Sequence, residues 1–171
     1  MKVILYNAVT VNGMISYNND DAGFVSEAGV RNFEAMIHEA GHMIIGRKTY
    51  DVMKKDGDIR YFLDVPMIVV SRTGRARPIS IVHTTARSPR EALSIFRKRR
   101  CKKVLIAGGA RLAASCIAQK LADEIVLYVE PLIFDPGIPL FRDSKFMRNL
   151  VLVEARTMPK GALRLHYRVA P

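Results

Sequence analysis

Two glycine-centred turns are the residues whose types and spacing best suit chemistry, and that chemistry is phosphate binding. Residues 46–49 (GRKT) follow the apolar run 43–45, and residues 108–111 (GGAR) follow the apolar run 104–107. Where a strand gives way to a helix, backbone N–H groups and the positive end of the helix dipole point at one spot, and glycine lets an anion approach closely. The pair therefore predicts a dinucleotide that is held from two sides.

Side chains beside these turns extend the prediction. Arg47 and Lys48 supply positive charge at the first turn, and Thr49 supplies a hydroxyl. Ser71 and Arg72 end another strand-like run. A hydroxyl and a guanidinium there suit the extra phosphate that distinguishes NADP from NAD, because arginine can bind phosphate through two parallel hydrogen bonds.

Each turn also has an interpretation without a ligand. Gly46 would then serve a tight strand exit, while Gly108 and Gly109 would allow a close contact between a helix and the sheet. Neither turn matches the G-x-G-x-x-G fingerprint or the Walker pattern. An ordinary Rossmann dehydrogenase and a P-loop ATPase are therefore disfavoured.

The composition is that of an ordinary globular protein with a strongly basic surface. The chain has 171 residues, of which 49% are hydrophobic and 25% charged, and a net charge of +11. We expect one domain over residues 1–171 and no membrane span. The densest basic run, residues 97–103, is interpreted either as a solvated helix end or as a nucleic-acid surface. Nucleic acid is disfavoured as a partner because only Phe96 offers a stacking aromatic nearby.

Three further expectations concern compartment, thiols and metals. The amino terminus lacks the pattern of a cleavable signal, which predicts a cytoplasmic protein. Cys101 and Cys116 lack the spacing of a metal site or a redox motif, so we expect reduced thiols with Cys116 in the core. The four histidines show no shared metal-ligand spacing, and no metal is expected.

Strands and helices alternate along most of the chain, which predicts a mainly parallel sheet. The apolar periodicity and capping signals predict helices over residues 26–39, 48–53, 88–100 and 109–120. They predict strands over residues 3–11, 42–45, 66–71, 79–83, 104–107 and 125–129, a loop over 54–64, and an antiparallel terminal hairpin of residues 150–156 and 162–169.

Six motifs occur in a specific order along nearly the whole chain. They are TVNGMIS (10–16), GRKTY (46–50), VVSR (69–72), VLIAGGARL (104–112), LADEIVLYVEPLIF (121–134) and GIPLF (137–141). The ordered set resembles the dihydrofolate reductase superfamily. More narrowly, it is similar to the RibD carboxyl-terminal family, the reductase domain of riboflavin biosynthesis.

The resemblance implies an α/β, dihydrofolate reductase-like fold: a central, mostly parallel mixed sheet of about eight strands, with helices on both faces and an antiparallel C-terminal hairpin. It also implies NADPH as cofactor and a homodimer. By position, the phosphates would be held by Gly46, Arg47, Lys48 and Thr49, and the adenosine 2′-phosphate end by Ser71 and Arg72. The pyrophosphate would contact Gly108, Gly109, Ala110 and Arg111, with Ala107 and Leu112 completing the cofactor set, and Asn7, Ala8 and Ile15 would line the nicotinamide pocket.

The substrate is less clear because the chain departs from the patterns of its relatives. Dihydrofolate reductases carry an acidic residue on the first helix that orients the pterin, and the matching stretch 29–33 has none. Riboflavin reductases typically show Asp-Gly after the first strand, where this chain has Asn12 and Gly13. The substrate-side candidates are Asn12, Arg31, Tyr128 and Glu130.

Two of these candidates have open alternatives. Arg31 is either a contact for a substrate phosphate or a solvated helix arginine. Glu130 is either a polar wall of the cleft or an edge residue facing water, and Tyr128 should share its face because strand side chains alternate.

The leading hypothesis is an NADPH-dependent reductase of a pyrimidine or pterin-like substrate, most specifically of a 5-amino-6-ribosylaminopyrimidine or its phosphate in riboflavin biosynthesis. Three alternatives stay open. They are dihydrofolate reductase-type activity, a basic nucleic-acid-binding protein on the same fold, and a reductase-like protein without turnover.

Overall fold

The computed structural model describes residues 1–18, 21–142 and 145–170. Its strands are β1 (Lys2–Thr10), β2 (Met14–Tyr17), β3 (Met43–Gly46), β4 (Met67–Val70), β5 (His83–Ala86), β6 (Lys103–Ala107), β7 (Glu124–Glu130), β8 (Gly137–Pro139), β9 (Leu150–Thr157) and β10 (Leu163–Val169). Its helices are α1 (Glu27–Ala40), α2 (Arg47–Asp56), α3 (Pro89–Lys98) and α4 (Ala110–Ala118), with short 3-10 turns at Asp58–Phe62 and Pro159–Gly161.

An eight-stranded sheet has the order β5-β4-β3-β6-β1-β7-β10-β9, and β2 pairs with β8 in a small separate sheet. The strands from β5 to β7 in this order pair in parallel, and β10 runs antiparallel to both β7 and β9. Strand β1 lies at the centre and is buried on both faces, as its run of Val, Ile and Leu predicts. The predicted mostly parallel sheet with an antiparallel C-terminal hairpin is confirmed.

Two helices cover each face of the sheet. Helices α1 and α2 pack on one side, in a core that contains Ile37 and Tyr50, and α3 and α4 pack on the other, in a core that contains Phe96 and Cys116. Crossovers between parallel strands are right-handed. A crossover that runs one way along the sheet therefore places its helix on one face, and a crossover that runs the other way places its helix on the opposite face. The predicted helices on both faces are confirmed.

Side-chain caps define the starts of two helices. Ser26 accepts a hydrogen bond from the N–H of Gly29 at the start of α1, and Ser88 accepts one from the N–H of Glu91 at the start of α3. These caps confirm the predicted helix starts. In a capping box the glutamate would accept a hydrogen bond from the N–H of the capping residue Ser88, but the carboxylate of Glu91 accepts from the N–H of Arg87 instead.

The predicted boundaries of two segments were wrong. Residues 79–82 of the strand predicted over 79–83 do not form a strand; β5 instead begins at His83 and includes the polar residues Thr84 and Thr85. Apolar residue types misled the prediction, because Ile79 and Ile81 are exposed, the latter completely. The predicted loop over residues 54–64 is largely helical, since α2 continues to Asp56 and a 3-10 turn follows.

A buried hydrogen-bond network explains why β5 begins at His83. The Tyr50 hydroxyl lies 2.9 Å from His83 Nδ1 and accepts the N–H of Ile79 at 3.0 Å. His83 Nε2 lies 3.0 Å from the carbonyl oxygen of Phe62, so that nitrogen carries the proton and Nδ1 accepts from Tyr50. The network joins α2, the 3-10 turn and the loop that precedes β5.

Both cysteines are free thiols. Cys116 is buried in α4, as expected, and Cys101 is half-buried just before β6. Of the helices in the described part of the chain, none is long and apolar enough to cross a bilayer.

Candidate active site

The two glycine turns lie side by side at one end of the sheet. Strands β3 and β6 are parallel neighbours, with Ile45 opposite Ala107, so their carboxyl ends open at the same edge. Helix α2 leaves β3 toward one face of the sheet, and α4 leaves β6 toward the other. Adjacent strands whose helices leave to opposite faces create a crevice between them, which is where open α/β sheets bind ligands.

The helices that flank this crevice start differently from the other two. Helix α2 begins after Gly46 and α4 begins after Gly109, and no side chain in the described part of the structure caps either one. Neither helix has an acidic residue in its first turn, whereas α1 and α3 have both a serine cap and a glutamate there. The free N–H groups and positive dipole ends of α2 and α4 therefore point at the crevice without an internal anion.

Thr49 bridges the two turns. Gly108 has a φ of +74°, and a Cβ placed on it would lie 2.5 Å from Thr49 Cγ2. A Cβ on Gly109, whose φ is +82°, would lie 3.4 Å from Thr49 Oγ1. Glycine is thus needed at residue 108 both for its backbone conformation and for the close approach of α2. The two interpretations of these glycines, close packing and phosphate binding, are compatible. The contact of Thr49 with Gly108 and Gly109 brings the two turns close together.

Charged side chains surround the crevice. Arg47 is partly exposed and pairs with Asp51 one turn later, at 2.9 Å between Nη1 and Oδ2. Lys48 and Arg111 are exposed in the first turns of α2 and α4. Ala110 and Leu112 are buried at the start of α4 and anchor it to the sheet.

The loop after β4 carries the residues predicted for the 2′-phosphate. Ser71 is only 4% exposed, and its Oγ has no hydrogen-bond partner among the described residues. Arg72 is exposed beside it, and Arg75 and Arg77 follow in the same loop. Arg75 and Arg77 were not among the predicted site residues, although the sequence SRTGRAR places both within six residues of Ser71.

The nicotinamide candidates lie on and beside the central strand. Asn7 is 6% exposed on the side of the sheet that α3 and α4 cover, and its Nδ2 lacks a partner within the described residues. Ile15 packs against the core of that same side, whereas Ala8 packs against the opposite core, with α1 and α2. Asn7 and Ile15 therefore share a face that Ala8 does not.

These features fit a dinucleotide such as NADPH. Buried polar atoms without partners cost free energy unless a ligand or water completes them, and Ser71 Oγ and Asn7 Nδ2 are two such atoms. The helix starts between them suit the diphosphate.

Glu130 is held by the start of α1. It is 3% exposed, and its Oε1 accepts hydrogen bonds from Ser26 N–H at 2.7 Å and Ser26 Oγ at 2.8 Å. Burial excludes the alternative in which this residue faces water. A Cβ on Gly29 would meet both Glu130 Oε1 and Tyr128 Cε1, so the two side chains share one face, as predicted. The carboxylate reaches the first helix from β7 rather than from the helix itself.

A buried pair of tyrosines lies beneath α1. Tyr6 and Tyr128 are almost fully buried, and neither hydroxyl has a partner among the described residues. Burial raises the pKa of Tyr6, and the neighbouring Tyr128 adds to this shift. The ring of Tyr6 stacks on Phe33 of α1, with ring centroids 5.5 Å apart. The phenol of Tyr6 is therefore a neutral hydrogen-bonding group at neutral pH.

The other two substrate candidates have local partners. The Arg31 side chain is 67% exposed and lies 3.6 Å from Glu27 one turn earlier, so its role as a phosphate contact stays a prediction. Asn12 Nδ2 donates to the carbonyl oxygen of Phe134 at 3.0 Å, and Asn12 Oδ1 accepts from the hydroxyl of Thr10 at 2.6 Å. Asn12 thus ties the end of β1 to the segment after β7.

A second concavity lies away from the crevice, between α1 and the C-terminal hairpin. It has a volume of about 360 Å³. Arg164 pairs there with Glu154 at 2.8 Å and lies against Met36 of α1. Its lining is completed by Asn32, Ala35, Glu39, Arg156, Met158 and His166.

The family is settled by comparison with known proteins. The family model of the RibD C-terminal domain matches residues 1–163. The chain belongs to the RibD C-terminal domain family. The resemblance stated from the ordered motifs is thereby confirmed.

Two curated relatives of this RibD C-terminal domain protein are named as uncharacterized proteins. It is 26% identical over 171 residues to the uncharacterized protein YwjB of Bacillus subtilis (strain 168), covering 97% of both chains. It is 26% identical over 177 residues to YyaP of the same organism, also uncharacterized, covering 97% of this chain and 94% of the relative.

Solved structures share the fold of this RibD C-terminal domain protein. A putative riboflavin biosynthesis protein from Shewanella sp. PV-4 matches with a TM-score of 0.82 at 18% identity over the whole of both chains. A deaminase and 5-amino-6-(5-phosphoribosylamino)uracil reductase from Thermotoga maritima matches with a TM-score of 0.75 at 17% identity. That match covers 99% of this chain and 56% of the Thermotoga protein, so the present chain corresponds to about half of it.

Proposed function

We propose that this protein is an NADPH-dependent reductase that transfers a hydride to a pyrimidine or pterin-like substrate. The most specific form of the proposal is reduction of a 5-amino-6-ribosylaminopyrimidine or its phosphate, as in riboflavin biosynthesis. The observation that supports it is the convergence of two uncapped helix starts at one crevice, with Thr49 between them. We further propose that it acts in the cytoplasm as a single domain and as a homodimer.

In this proposal, NADPH supplies the hydride, and the residues of the chain align and hold the reactants. The backbone N–H groups after Gly46 and Gly109 bind the diphosphate, and Arg47 adds charge. Ser71 and Arg72 bind the 2′-phosphate. Asn7 would donate from Nδ2 to the carboxamide of the nicotinamide.

The substrate would enter over the carboxyl end of β1. There, Asn12 and the Glu130–Ser26 pair keep the surrounding segments in place. The first helix lacks the acid that dihydrofolate reductases carry there, and the nearby carboxylate of Glu130 already accepts hydrogen bonds from Ser26 at the start of α1. We therefore rank the ribosylaminopyrimidine above dihydrofolate as substrate.

Cofactor titration tests the proposal directly. NADPH fluorescence should change saturably on adding protein, with a dissociation constant well below millimolar. Arg72→Ala should weaken the binding of NADPH by at least about tenfold, because a charge-assisted hydrogen bond contributes about 1.5–3 kcal/mol. The affinity for NADH should be nearly unchanged. Absence of saturable binding up to millimolar NADPH would refute the proposal, and equal loss for both cofactors would refute the 2′-phosphate role.

Turnover must be measured separately from binding. Oxidation of NADPH should depend on a ribosylaminopyrimidine and much less on dihydrofolate or other pteridines. Binding without oxidation across this panel would indicate a reductase-like protein without turnover.

The nucleic-acid alternative concerns a different part of the molecule. The basic residues 97–103 connect the end of α3 to the start of β6, at the opposite end of the sheet from the crevice. Lys103 is already paired with Glu39. Binding that weakens steeply with salt would support this alternative, because phosphate contacts release counterions.

A further inference from the structure

The last strand places charged side chains where a sheet normally has apolar ones. In β10, Arg164 and His166 alternate with apolar residues. A half-covered strand normally turns its apolar side toward the covering helix. Here, the charged side lies beside α1, with an Arg164 guanidinium nitrogen 3.6 Å from the sulfur of Met36. The concavity between α1 and the C-terminal hairpin is therefore lined by charge.

Arg164 is poorly satisfied by its protein partners. Its side chain is only 16% exposed, and a guanidinium carries five N–H donors in a fixed plane. Nη1 donates to Glu154 Oε2 at 2.8 Å, and Nη2 faces the sulfur of Met36, which is a weak acceptor. The remaining N–H groups of Arg164 have no partner among the residues that the structure describes. Buried donors of this kind cost free energy unless a ligand or water completes them.

Arg156 places a second guanidinium beside the first. It lies directly opposite Arg164 in the pairing of β9 with β10. Like charges in directly opposite positions destabilise a sheet. Glu154 offsets only one of the two charges, with one oxygen 2.8 Å from Arg156 Nε and the other 2.8 Å from Arg164 Nη1. These three side chains therefore keep one net positive charge at the concavity.

The other charged side chains of the concavity have partners of their own. Glu39 forms an ion pair with Lys103, and His166 lies 3.0 Å from the carboxylate of Glu124. Neither adds a free negative charge that would repel an anion. A pair of guanidinium groups suits a phosphate or a carboxylate, because arginine binds both through parallel hydrogen bonds.

An amide oxygen in the same concavity requires a donor. Asn32 of α1 lines it, and Asn32 Oδ1 is buried without a hydrogen-bond partner among the described residues. An amide oxygen only accepts hydrogen bonds, so a hydroxyl on the ligand would complete it. Met36 and Met158 supply apolar walls, and the volume of about 360 Å³ is in the range of small-molecule sites. The concavity therefore suits a ligand larger than a bare anion.

We propose that this concavity binds a small hydroxylated oxyanion, either a polyol phosphate or a hydroxycarboxylate. Its anionic group contacts Arg156 and Arg164, and a hydroxyl donates to Asn32 Oδ1. The site is separate from the crevice between β3 and β6, because strands β1 and β7 lie between β6 and β10 in the sheet. Binding there is independent of the proposed reductase function.

Isothermal titration calorimetry of the full chain tests this site. Glycerol 3-phosphate or glycerate should bind saturably, and the tighter of the two identifies the anionic group. The tighter one should exceed its simple counterpart, inorganic phosphate or acetate, by about threefold or more, because the hydroxyl adds a hydrogen bond. Glycerol alone should not bind. Absence of saturable binding of both hydroxylated anions up to millimolar concentration would overturn the proposal.

Charge-removing variants locate the binding. Arg156→Gln and Arg164→Gln should each weaken it by about tenfold or more, because each removes a hydrogen bond to a charged group. The Arg156 side chain is 66% exposed, so Arg156→Gln decides the question even if Arg164→Gln fails to fold. Arg90→Gln changes an exposed arginine on α3, on the other side of the sheet, and should have no effect. An unchanged affinity in Arg156→Gln would overturn the proposal.

Two further variants test how the ligand is held. Glu154→Gln should raise the affinity by about threefold or more, because its carboxylate competes with the ligand for both guanidinium groups. Asn32→Ala should remove the preference for the hydroxylated anion over its simple counterpart. A preference that survives Asn32→Ala, or an affinity that falls in Glu154→Gln, would overturn this arrangement.

NADPH separates this site from the crevice. The hydroxylated anion should bind with the same affinity when NADPH is saturating, whereas competition between the two would place the anion at the crevice and overturn the proposal. If NADPH does not bind, titration of the chain alone still decides the matter. Failure of this site and failure of the reductase function are therefore distinguishable.

Discussion

Thr49 touches Gly108 across the crevice, and this contact links α2 to the turn that begins α4. A Cβ on Gly108 would lie 2.5 Å from Thr49 Cγ2 and 3.1 Å from its Oγ1. The two candidate phosphate turns are therefore packed against each other through Thr49. A disturbance at either turn should appear both in stability and in cofactor affinity.

Gly108→Ala should cost more stability than the same change at Gly41. Both glycines have positive φ, +74° and +69°, so both substitutions incur backbone strain of about 1–3 kcal/mol. A Cβ on Gly41 meets open space, whereas one on Gly108 collides with Thr49, which should add at least about 1 kcal/mol. Urea unfolding measures the difference, and NADPH affinity should fall only for Gly108→Ala. Equal losses of unfolding free energy in the two variants would show that Thr49 moves aside without cost when residue 108 gains a Cβ.

Ser71→Ala should separate binding from stability. The Ser71 hydroxyl is buried without a partner among the described residues, so its removal should leave the unfolding free energy unchanged or slightly higher. NADPH affinity should fall by about fivefold or more if the hydroxyl donates to the 2′-phosphate, and NADH affinity should not change. A variant that loses stability while keeping its NADPH affinity would mean that the hydroxyl has a structural partner instead.

Glu130 and Ser26 should be energetically coupled. Glu130→Gln removes a negative charge from the start of α1 and should cost about 0.5–2 kcal/mol of unfolding free energy. A double-mutant cycle with Ser26→Ala should give a coupling energy of about 0.5–3 kcal/mol. Ser88→Ala removes an equivalent cap from α3 and should be additive with Glu130→Gln. Additivity of the first pair as well would argue that the carboxylate serves the substrate rather than the helix.

Stability should depend on pH through His83. Burial lowers the pKa of His83 from its ordinary value of 6.5. At this residue the unfolded chain therefore binds more protons than the folded chain. The contribution of neutral His83 to the free energy of unfolding is complete above about pH 6.5, and it is lost as the pH falls from there through the pKa of the folded state. Urea unfolding between about pH 7.5 and 5.5 should show a slope of up to about 1.4 kcal/mol per pH unit. His83→Gln should reduce it, and His38→Gln, at an exposed position, should not.

The crevice could be predicted from the sequence because its signals are local. A glycine directly after an apolar run marks a strand exit, and parallel strands bring their exits to one edge, which holds for Gly46 and Gly108. Ser71 was predicted from its place at the end of a strand-like run, and Asn7 from the family resemblance. Only the structure shows that these side chains are buried and that their polar atoms lack partners among the described residues, because burial depends on neighbours far along the chain.

Contacts between segments that are distant along the chain could not be predicted from the sequence. Glu130 meets Ser26 across a separation of 104 residues, and no local pattern pairs them. The strand β5 was misplaced because Ile79 and Ile81 are apolar yet exposed, while the polar His83 is buried by its hydrogen bonds. The alternation in β10 was visible, but which side the helices cover depends on the whole topology.

The thiols have a practical consequence. Burial raises the pKa of Cys116 to about 12, so at neutral pH it is both protonated and shielded by α4. Cys101 is half-buried just before β6, at the end of that strand opposite Gly108. A maleimide dye should therefore attach at one natural position without any engineered cysteine, and its emission would monitor the molecule from a point remote from the crevice between β3 and β6.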